Sequence, residues 1–345
     1  MQVSGRTVLF FAIASLLTSC STFEPAPEGG DGGASSGSSG GSSGSTPTPA
    51  ANAETIAAGL NGPHSLQATS AGPYWISLAA DGGSPSVERL HHCPPEGCNG
   101  APALLLHDDI RGLAADGNEI FWTTSAGIHA CTVGATCTKQ DVRPGPLPSM
   151  LTASGGKIIF TAASGSDVAL QRCDRAACSS TTTTIWSGNG IGVIAPSGDD
   201  IWFTTGQPSV LLQRSVGGAA STPLGTLRGL PTSIAALGTD LHYVSQNALD
   251  YCSAATSCSP VTVDPAAENS IWLVRRTGDA IYYVYQAAGG TPGKVLRCAS
   301  ADCRERKVIV DGGNPRDVAV YDGWLYLVDL GNERQGSASI KRVKL

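Results

Sequence analysis

The feature that most constrains this chain is a repeat of about forty residues that recurs seven times. Short β-like runs with an aromatic or apolar–aromatic pair return along the sequence: PYWISL, IFWTTS, IIFTAA, IWFTTG, LHYVSQ, IYYVYQ and WLYLVD. Their anchor residues, spaced 38 to 47 residues apart, are Trp75, Trp122, Phe160, Phe203, Tyr243, Tyr283 and Tyr326. A period of this length indicates one supersecondary unit used repeatedly, because such units bury their apolar faces against each other.

Each repeat contains four short strand-like segments. A small-residue segment such as RGLAAD or TSIAAL precedes a Gly/Asp turn and the anchor strand, and a third (VALQRC) and a fourth (RKVIVDG) follow. Four strands in about forty residues are typical of a propeller blade. The chain has 43 glycines and only 14% charged residues, which also favours turn-rich β structure. The sequence therefore predicts an all-β, seven-bladed β-propeller of four-stranded blades.

The two ends of the repeat region predict how the ring closes. The seventh repeat stops at SASIKRVKL before a fourth strand, and ETIAAGLNGPHSLQA near the other end matches RKVIVDGGNPRDVAV. We therefore predict that Glu54–Leu60 completes the last blade, which leaves no open strand edge at the join. A six-bladed ring with one stray repeat fits the sequence less well.

Ten of the 11 cysteines form five close pairs, each where a third strand turns into a fourth. The pairs are Cys93 with Cys98, Cys131 with Cys137, Cys173 with Cys178, Cys252 with Cys258, and Cys298 with Cys303. Zinc sites favour C-x2-C spacing with a second pair nearby, whereas these spacings are longer and the pairs lie in different repeats. We predict five local disulfides that staple the outer hairpins. Ser215 and Val343 stand where the fourth and seventh repeats would carry their first cysteine.

We predict no metal and no cofactor. The run His91-His92-Cys93 contains metal-ligating side chains. However, neighbouring residues of a strand point to opposite faces, so the two histidines would not share one ion.

The amino terminus resembles a bacterial lipoprotein signal. In MQVSGRTVLFFAIASLLTSC, a basic residue precedes an apolar run too short to span a membrane, and the Leu-Thr-Ser-Cys ending at Cys20 is similar to a lipobox. The resemblance implies a signal peptide over residues 1–19 and a lipid on Cys20. Ser21, in place of Asp, favours the outer membrane. The alternative is an ordinary secretory signal followed by one unpaired cysteine.

Residues 20–53 contain a single large apolar side chain, Phe23, and predict a flexible Gly/Ser/Pro-rich tether. Its root-mean-square reach as a coil is roughly 30 Å. The domain organisation is therefore signal peptide, lipidated tether and a propeller over residues 54–345. The expected location is the cell envelope, with the chain held at the membrane through the lipid on Cys20.

The stretch IFWTTSAGIHAC, with Trp122-Thr123 and the following Gly127, carries a family resemblance. The repeat resembles those of bacterial surface lipoproteins with a cysteine-paired β-propeller. More distantly, it is similar to the YWTD propellers of the low-density-lipoprotein receptor family and to NHL-type propellers. The resemblance implies a propeller fold and brings no established activity with it. The YWTD family has six blades and an Asp where this chain has Thr124.

A ligand is expected on the face opposite the disulfide turns, where loops enter the first strands near the axis. Those loops carry His64, Arg111, Ser149, Thr232, Arg316 and Asp317, and the loops between second and third strands add Asp81, Gln207, Gln246, Asn247 and Asp329. Arg111 and Arg316 with His64 predict a site for an anionic group, such as a carboxylate or an acidic glycan. The alternative is local pairing, of Arg111 with Asp108 or Asp109 and of Arg316 with Asp317.

Two functional classes remain. The first is a non-catalytic, monomeric module that binds a protein, a peptide or an envelope glycan; the second is an extracellular hydrolase or lyase that uses the axial pocket. Binding predicts exposed aromatics and arginines across several loops, whereas catalysis predicts a pocket His or carboxylate with a shifted pKa. A net charge of −6 without a basic stripe argues against nucleic acid as a partner.

Overall fold

A computed structural model describes residues 53–345, except for residues 79–87, 100, 135, 146–148, 207–209, 254–256, 266–269, 278–279, 288–290, 301, 304 and 332–336. The predicted signal peptide, Cys20 and nearly all of the tether lie outside the described residues, as do Asp81 and Gln207.

Seven antiparallel four-stranded sheets form the blades of a propeller. Blade 1 contains β2 (His64–Thr69), β3 (Gly72–Leu78), β4 (Glu88–His92) and β5 (Ala103–Asp108). Blade 2 contains β6 (Gly112–Asp116), β7 (Glu119–Thr124), β8 (Gly127–Thr132) and β9 (Gln140–Pro144). Blade 3 contains β10 (Leu151–Ser154), β11 (Lys157–Ser164), β12 (Asp167–Asp174) and β13 (Thr183–Gly188).

The remaining blades repeat this order. Blade 4 contains β14 (Ile191–Ser197), β15 (Asp200–Thr205), β16 (Leu211–Ser215) and β17 (Thr222–Thr226). Blade 5 contains β18 (Ser233–Leu237), β19 (Asp240–Ser245), β20 (Ala248–Ser253) and β21 (Val261–Asp264). Blade 6 contains β22 (Ile271–Thr277), β23 (Ala280–Tyr285), β24 (Lys294–Cys298) and β25 (Arg306–Asp311). Blade 7 contains β26 (Pro315–Tyr321), β27 (Trp324–Asp329), β28 (Ala338–Lys344) and β1 (Glu54–Leu60).

The first strands of adjacent blades contact one another around a closed ring. The strand β1 pairs antiparallel with β28, so the predicted closure and the seven-bladed architecture are confirmed. Helical structure in the described part of the chain is limited to a 3-10 turn (Arg175–Ala177) and one short helix (Cys178–Thr181) in blade 3. No helix there is long and apolar enough to cross a membrane.

The core lies between the blades, where the second strands are buried on both faces. Six of the seven predicted anchors face the preceding blade; Trp122 packs with Ile76 of blade 1, and Tyr243 packs with Trp202 of blade 4. The residues next to the anchors in the second strands, such as Phe121 before Trp122, face the following blade. Because both faces are buried, each second strand reads as an apolar run with little alternation.

The seventh anchor is one residue out of register. Leu327 pairs with Val318 as Tyr243 pairs with Ile234, whereas Tyr326 pairs with Ala319. Leu327 therefore faces blade 6, and Tyr326 packs against Trp75 of blade 1. The choice of Tyr326 was wrong because both faces of the strand bury large side chains, so an aromatic residue does not mark a particular face.

All five predicted cysteine pairs are joined as disulfides. The bonds join Cys93 to Cys98, Cys131 to Cys137, Cys173 to Cys178, Cys252 to Cys258, and Cys298 to Cys303. The first cysteine of each pair lies at the end of a third strand, and the second lies in the segment that leads to the fourth. Cys137 thus precedes β9 and Cys303 precedes β25, as the sequence predicted. Each bond therefore staples one outer hairpin.

The disulfide loops hold more than their own hairpins, because they also contact the fourth strand of the preceding blade. Cys98 N–H donates to Ile56 O of β1 at 3.3 Å, and Cys258 N–H donates to Leu224 O of β17 at 3.0 Å. Cys303 packs in the cluster that contains Val263 of β21, so the same contact between blades recurs in blade 6. The disulfide turns thus clasp the outer edge of the neighbouring blade, and the Cys93–Cys98 turn clasps the closing strand.

We expect replacement of both Cys93 and Cys98 by Ala to destabilise the protein more than the same change at Cys252 and Cys258. Each disulfide closes a loop of similar length and contributes roughly 2 kcal/mol in the chain-entropy model. Among the described strands, however, β1 alone is far in sequence from the rest of its blade, β26 to β28, so no short turn holds it in place. Urea unfolding of the two double variants measures the difference; equal losses would contradict a special role for the first clasp.

Blade 4, which has no disulfide, closes its outer turn with hydrogen bonds. Ser215 Oγ donates to Ala219 O at 2.5 Å, and Arg172 of blade 3 donates to Gly217 O at 3.0 Å. The Ser215 hydroxyl therefore lies where the other blades have a cysteine sulfur, and a neighbouring blade again contacts the turn.

Candidate functional site

An axial channel runs between the first strands. One cavity of about 330 Å³ has six alanines of the first strands in its lining: Ala114, Ala115, Ala153, Ala195, Ala235 and Ala236. A second cavity of about 330 Å³ lies towards the loops that enter the first strands, and its lining includes Ser65, Ser149 and Thr232. Both cavities are lined by Thr152 and Arg275, so they adjoin each other along the axis, and we call the two together the channel. We call the first the inner cavity and the second the outer cavity. We call the end near Ser149 and Thr232 the loop face, and the opposite end the disulfide face.

Two arginines interrupt the small-residue lining. Arg275 and Arg276 of β22 occupy the register positions that Ala235 and Ala236 occupy in β18. They are the charged residues among those that line the inner cavity. These two arginines are not among the predicted site residues. The sequence does mark them, because IWLVRRTG has Arg-Arg where the other first strands have small or uncharged residues.

Both arginines have distant carboxylate partners. Arg275 Nη2 lies 3.4 Å from Asp317 Oδ1, and Arg276 Nη2 lies 3.9 Å from Asp240 Oδ2. Charge-assisted hydrogen bonds are normally about 2.7–2.9 Å long. The Arg276 side chain is only 8% exposed, and its Nε and Nη1 have no hydrogen-bond partner among the described residues. Two of the three Arg276 side-chain nitrogens therefore lack an acceptor among the described residues, whereas Arg275 donates to Asp317 and is 40% exposed.

An exposed aromatic–cation pair lies beside the channel on the loop face. The Arg316 guanidinium carbon lies 3.8 Å from the centre of the Trp272 ring, and Trp272 is 37% exposed. Thr232 Oγ donates to Trp272 O at 3.0 Å, which ties blade 5 to blade 6 at this point. Leu230, 52% exposed, comes within reach of Gly192 at the channel mouth. We call Leu230, Trp272 and Arg316 the loop-face patch.

The structure places the predicted site residues in several local groups. Arg111 pairs with Asp109 at 2.9 Å, as the local-pairing alternative expected, and His64 Nε2 lies 3.5 Å from Glu88. Arg316 stacks on Trp272. Thr232 and Arg316 are therefore brought together through Trp272, while Arg111 and His64 belong to separate groups on blades 2 and 1.

The two predicted aspartates are buried. Asp317 accepts the backbone N–H of Leu66 at 2.8 Å and faces Arg275. Asp329 accepts hydrogen bonds from the backbone N–H groups of Asn314 and Gly331. It also forms an ion pair with Lys341 at 2.5 Å. Burial alone would raise the pKa of Asp329, but the Lys341 ammonium and the two N–H groups outweigh it and hold the pKa below its ordinary value. Both carboxylates therefore join neighbouring segments of the chain.

The histidine pair of blade 1 is occupied by packing. His91 stacks on Trp75 and His92 on Tyr74, which face blades 7 and 2 respectively, so the two rings point to opposite faces as predicted. His92 Nε2 donates to Ala71 O at 2.7 Å, and burial lowers the pKa of His91 to about 4. Within the described ranges, no group of three or more His, Cys, Asp or Glu side chains is placed to hold a metal ion.

A Thr–His–Asp arrangement occurs in blade 2. Thr124 Oγ donates to His129 Nε2, whose Nδ1 donates to Asp141, both at 2.8 Å. This is the connectivity of a hydrolase triad. Thr124 is only 2% exposed, however.

The same ladder recurs at equivalent positions in blade 5, where Ser245, Asp250 and Thr262 are bonded in series. A repeated polar contact across the second, third and fourth strands explains both sets. The arrangement in blade 2 is therefore a cross-strand ladder of the repeat.

Solved structures with the same fold include hydrolase propellers. The β-propeller domain of the Trilobed protease from Pyrococcus furiosus aligns with a TM-score of 0.64 and 8% identity over 82% of this chain and 95% of that one. Acylaminoacyl peptidase from Pyrococcus horikoshii aligns at 0.62 and 8% identity over 84% of this chain and 52% of that one. A puromycin hydrolase aligns at 0.60 and 10% identity, over 84% and 53%.

Likeness at this identity shows the fold alone: the chain is a seven-bladed β-propeller. It spans about half the length of the acylaminoacyl peptidase and of the puromycin hydrolase. The Trilobed protease propeller is described as having an open velcro topology, whereas here β1 pairs with β28. No family model and no curated protein sequence matches the chain.

Proposed function

We propose that this protein is a non-catalytic binding propeller of the bacterial cell envelope, and that its ligand is a peptide segment docked on the loop-face patch. The patch supports this proposal, because Trp and Arg are the residue types most enriched in binding hot spots. Trp272 and Leu230 expose apolar area beside a channel, where pockets commonly bind ligands.

A peptide fits the patch better than a glycan does. The Arg316 guanidinium covers one face of the Trp272 ring, and a sugar would need a bare aromatic face on which to stack. Leu230 offers exposed apolar surface for a peptide side chain. No observation on the described residues favours the hydrolase or lyase alternative, since the ladder of blade 2 explains the Thr–His–Asp geometry.

The proposed location follows from the amino terminus. Residues 1–19 are the signal peptide, Cys20 carries the lipid, and residues 20–53 tether the propeller over residues 54–345 to the outer membrane. Five disulfides support export, because they persist in oxidising compartments and are rare in the cytosol. The closed ring favours a monomer.

Panning a displayed random-peptide library on the full chain tests this proposal. We expect enriched peptides to lose about 30-fold or more in affinity, a hot-spot loss of about 2 kcal/mol, when Trp272 or Arg316 is changed to Ala. The control is Trp324→Ala, which removes a Trp that stacks with Arg342 on the disulfide face. Binders indifferent to Trp272→Ala and Arg316→Ala would move the interface elsewhere. If no peptide is enriched on the unaltered protein, the proposal of a peptide ligand is wrong.

A further inference from the structure

We infer that Arg275 and Arg276 form a carboxylate-binding site inside the axial channel, and that this site receives the free C-terminal carboxylate of the peptide ligand. The inference rests on the proposed function, since the peptide would enter from the loop-face patch. Its evidence is separate, however, and lies in the channel.

The residues that line the inner cavity suit a carboxylate ligand. The inner cavity is otherwise lined by alanines, aliphatic residues, Pro196, Thr152 and Gln67. Asp317 and Asp240, the carboxylates nearest the arginines, are not among the lining residues. The cavity therefore presents guanidinium, hydroxyl and amide groups among alanine and aliphatic side chains. Guanidinium groups bind carboxylates strongly because their donors match the two carboxylate oxygens.

Arg276 has hydrogen-bond donors without acceptors among the described residues. A buried guanidinium with two unpaired nitrogens is unfavourable for stability unless something else binds it. Two less buried cations in this protein lie closer to a carboxylate: Arg214 lies 2.5 Å from Asp200, and Lys341 lies 2.5 Å from Asp329. Among the described residues, Arg276 has one ion-pair partner, Asp240 at 3.9 Å. Nε and Nη1 are shielded from the channel, so Nη2 is the nitrogen left to face it, and a ligand carboxylate there would be a closer acceptor than Asp240.

The length of the channel matches that of a short extended peptide. Leu273 lines the outer cavity and Arg276 the inner one, three residues further along β22. Three residues of a strand span about 10 Å, and so do three residues of an extended peptide. The last three residues of a ligand would therefore reach Arg276 while earlier residues contact Trp272 and Leu230. Arg275, which lines both cavities, lies along this path.

The test variant is Arg276→Met, because Met keeps much of the side-chain volume and removes the charge. It should fold normally, since Asp240 is 32% exposed and keeps the hydroxyl hydrogen bond from Tyr251 at 2.9 Å. We expect its thermal midpoint to equal or exceed that of the unaltered protein, because a poorly paired buried cation is removed. A purely structural role for Arg276 predicts a lower midpoint. The control is Arg175→Met, which removes an exposed arginine that pairs with Glu119 outside the channel.

Binding is measured with two matched probes on the full chain. One is a mixture of N-acetylated hexapeptides of randomised sequence with a free C-terminal carboxylate, and the other is the same mixture as C-terminal amides. We expect the unaltered protein and Arg175→Met to prefer the acid at least tenfold, and Arg276→Met to lose this preference. Sodium acetate at constant ionic strength tests a free small carboxylate.

Each outcome decides something. Equal binding of acid and amide, with dependence on Trp272 intact, would overturn the carboxylate site and leave the peptide-binding function standing. Acid preference retained by Arg276→Met would overturn the assignment to this arginine. Stabilisation by acetate that depends on Arg276, without peptide binding, would support the carboxylate site and overturn the proposed function. No response to peptides or acetate would overturn both.

Discussion

Deletion of residues 1–60 is expected to lower the thermal unfolding midpoint by at least roughly 10 °C relative to deletion of residues 1–52. The longer deletion removes β1, whose Ile56, Ala57 and Leu60 are buried against blades 7 and 1. Truncating a buried Ile or Leu costs about 2–5 kcal/mol. In domains of 150–250 residues, each kcal/mol shifts the midpoint by about 2–4 °C. The shorter deletion removes no described strand and serves as the control.

A second readout concerns the edge that the deletion exposes. Without β1, the strand β28 presents unpaired backbone groups, which favour pairing with another chain. We expect the 1–60 deletion to form concentration-dependent oligomers in size-exclusion chromatography. Equal midpoints and a monomer for both deletions would show that closure by β1 contributes little to stability.

The substitution Lys341→Met is expected to cost roughly 2–4 kcal/mol at neutral pH, because it leaves the Asp329 carboxylate buried without its cation. The figure is below that for a fully buried pair because the Lys341 side chain is 27% exposed. The matched control is Lys139→Met, which breaks a more exposed Lys–Asp pair with Asp108 and should cost about 1 kcal/mol or less. Urea unfolding at pH 7 measures both.

The pH dependence of this loss has a defined sign. The pKa of Asp329 is lowered in the folded state. Its contribution to stability is therefore complete above the ordinary aspartate pKa, near 4, and is lost as pH falls through the folded value. Without Lys341, burial raises the pKa of the folded carboxyl, so the deficit of Lys341→Met should be largest at neutral pH and narrow in acid. A deficit that is constant between pH 7 and pH 3 would contradict the pair.

The candidate site was only partly predictable. The loop face and Arg316 follow from strand order and residue type, and Arg111 pairs with a neighbour in sequence, as the local alternative expected. Trp272 was missed because its importance depends on Arg316, a residue of the next blade that stacks on it. Arg275 and Arg276 were not predicted, because they stand out only when compared with the residues at the same positions of the other first strands. The strand register of the structure identifies those positions.

The sequence by itself determined the number of blades, the closing strand and the five disulfides. These features are local or periodic: the apolar strand runs, the turns and the close cysteine pairs lie within one repeat or recur at its spacing. Only the tertiary structure decided that Tyr326 faces blade 1, that the disulfide turns clasp neighbouring blades and that two arginines line the channel. Contacts between blades join residues far apart in the chain, so they depend on register and on which face of a strand each neighbour covers.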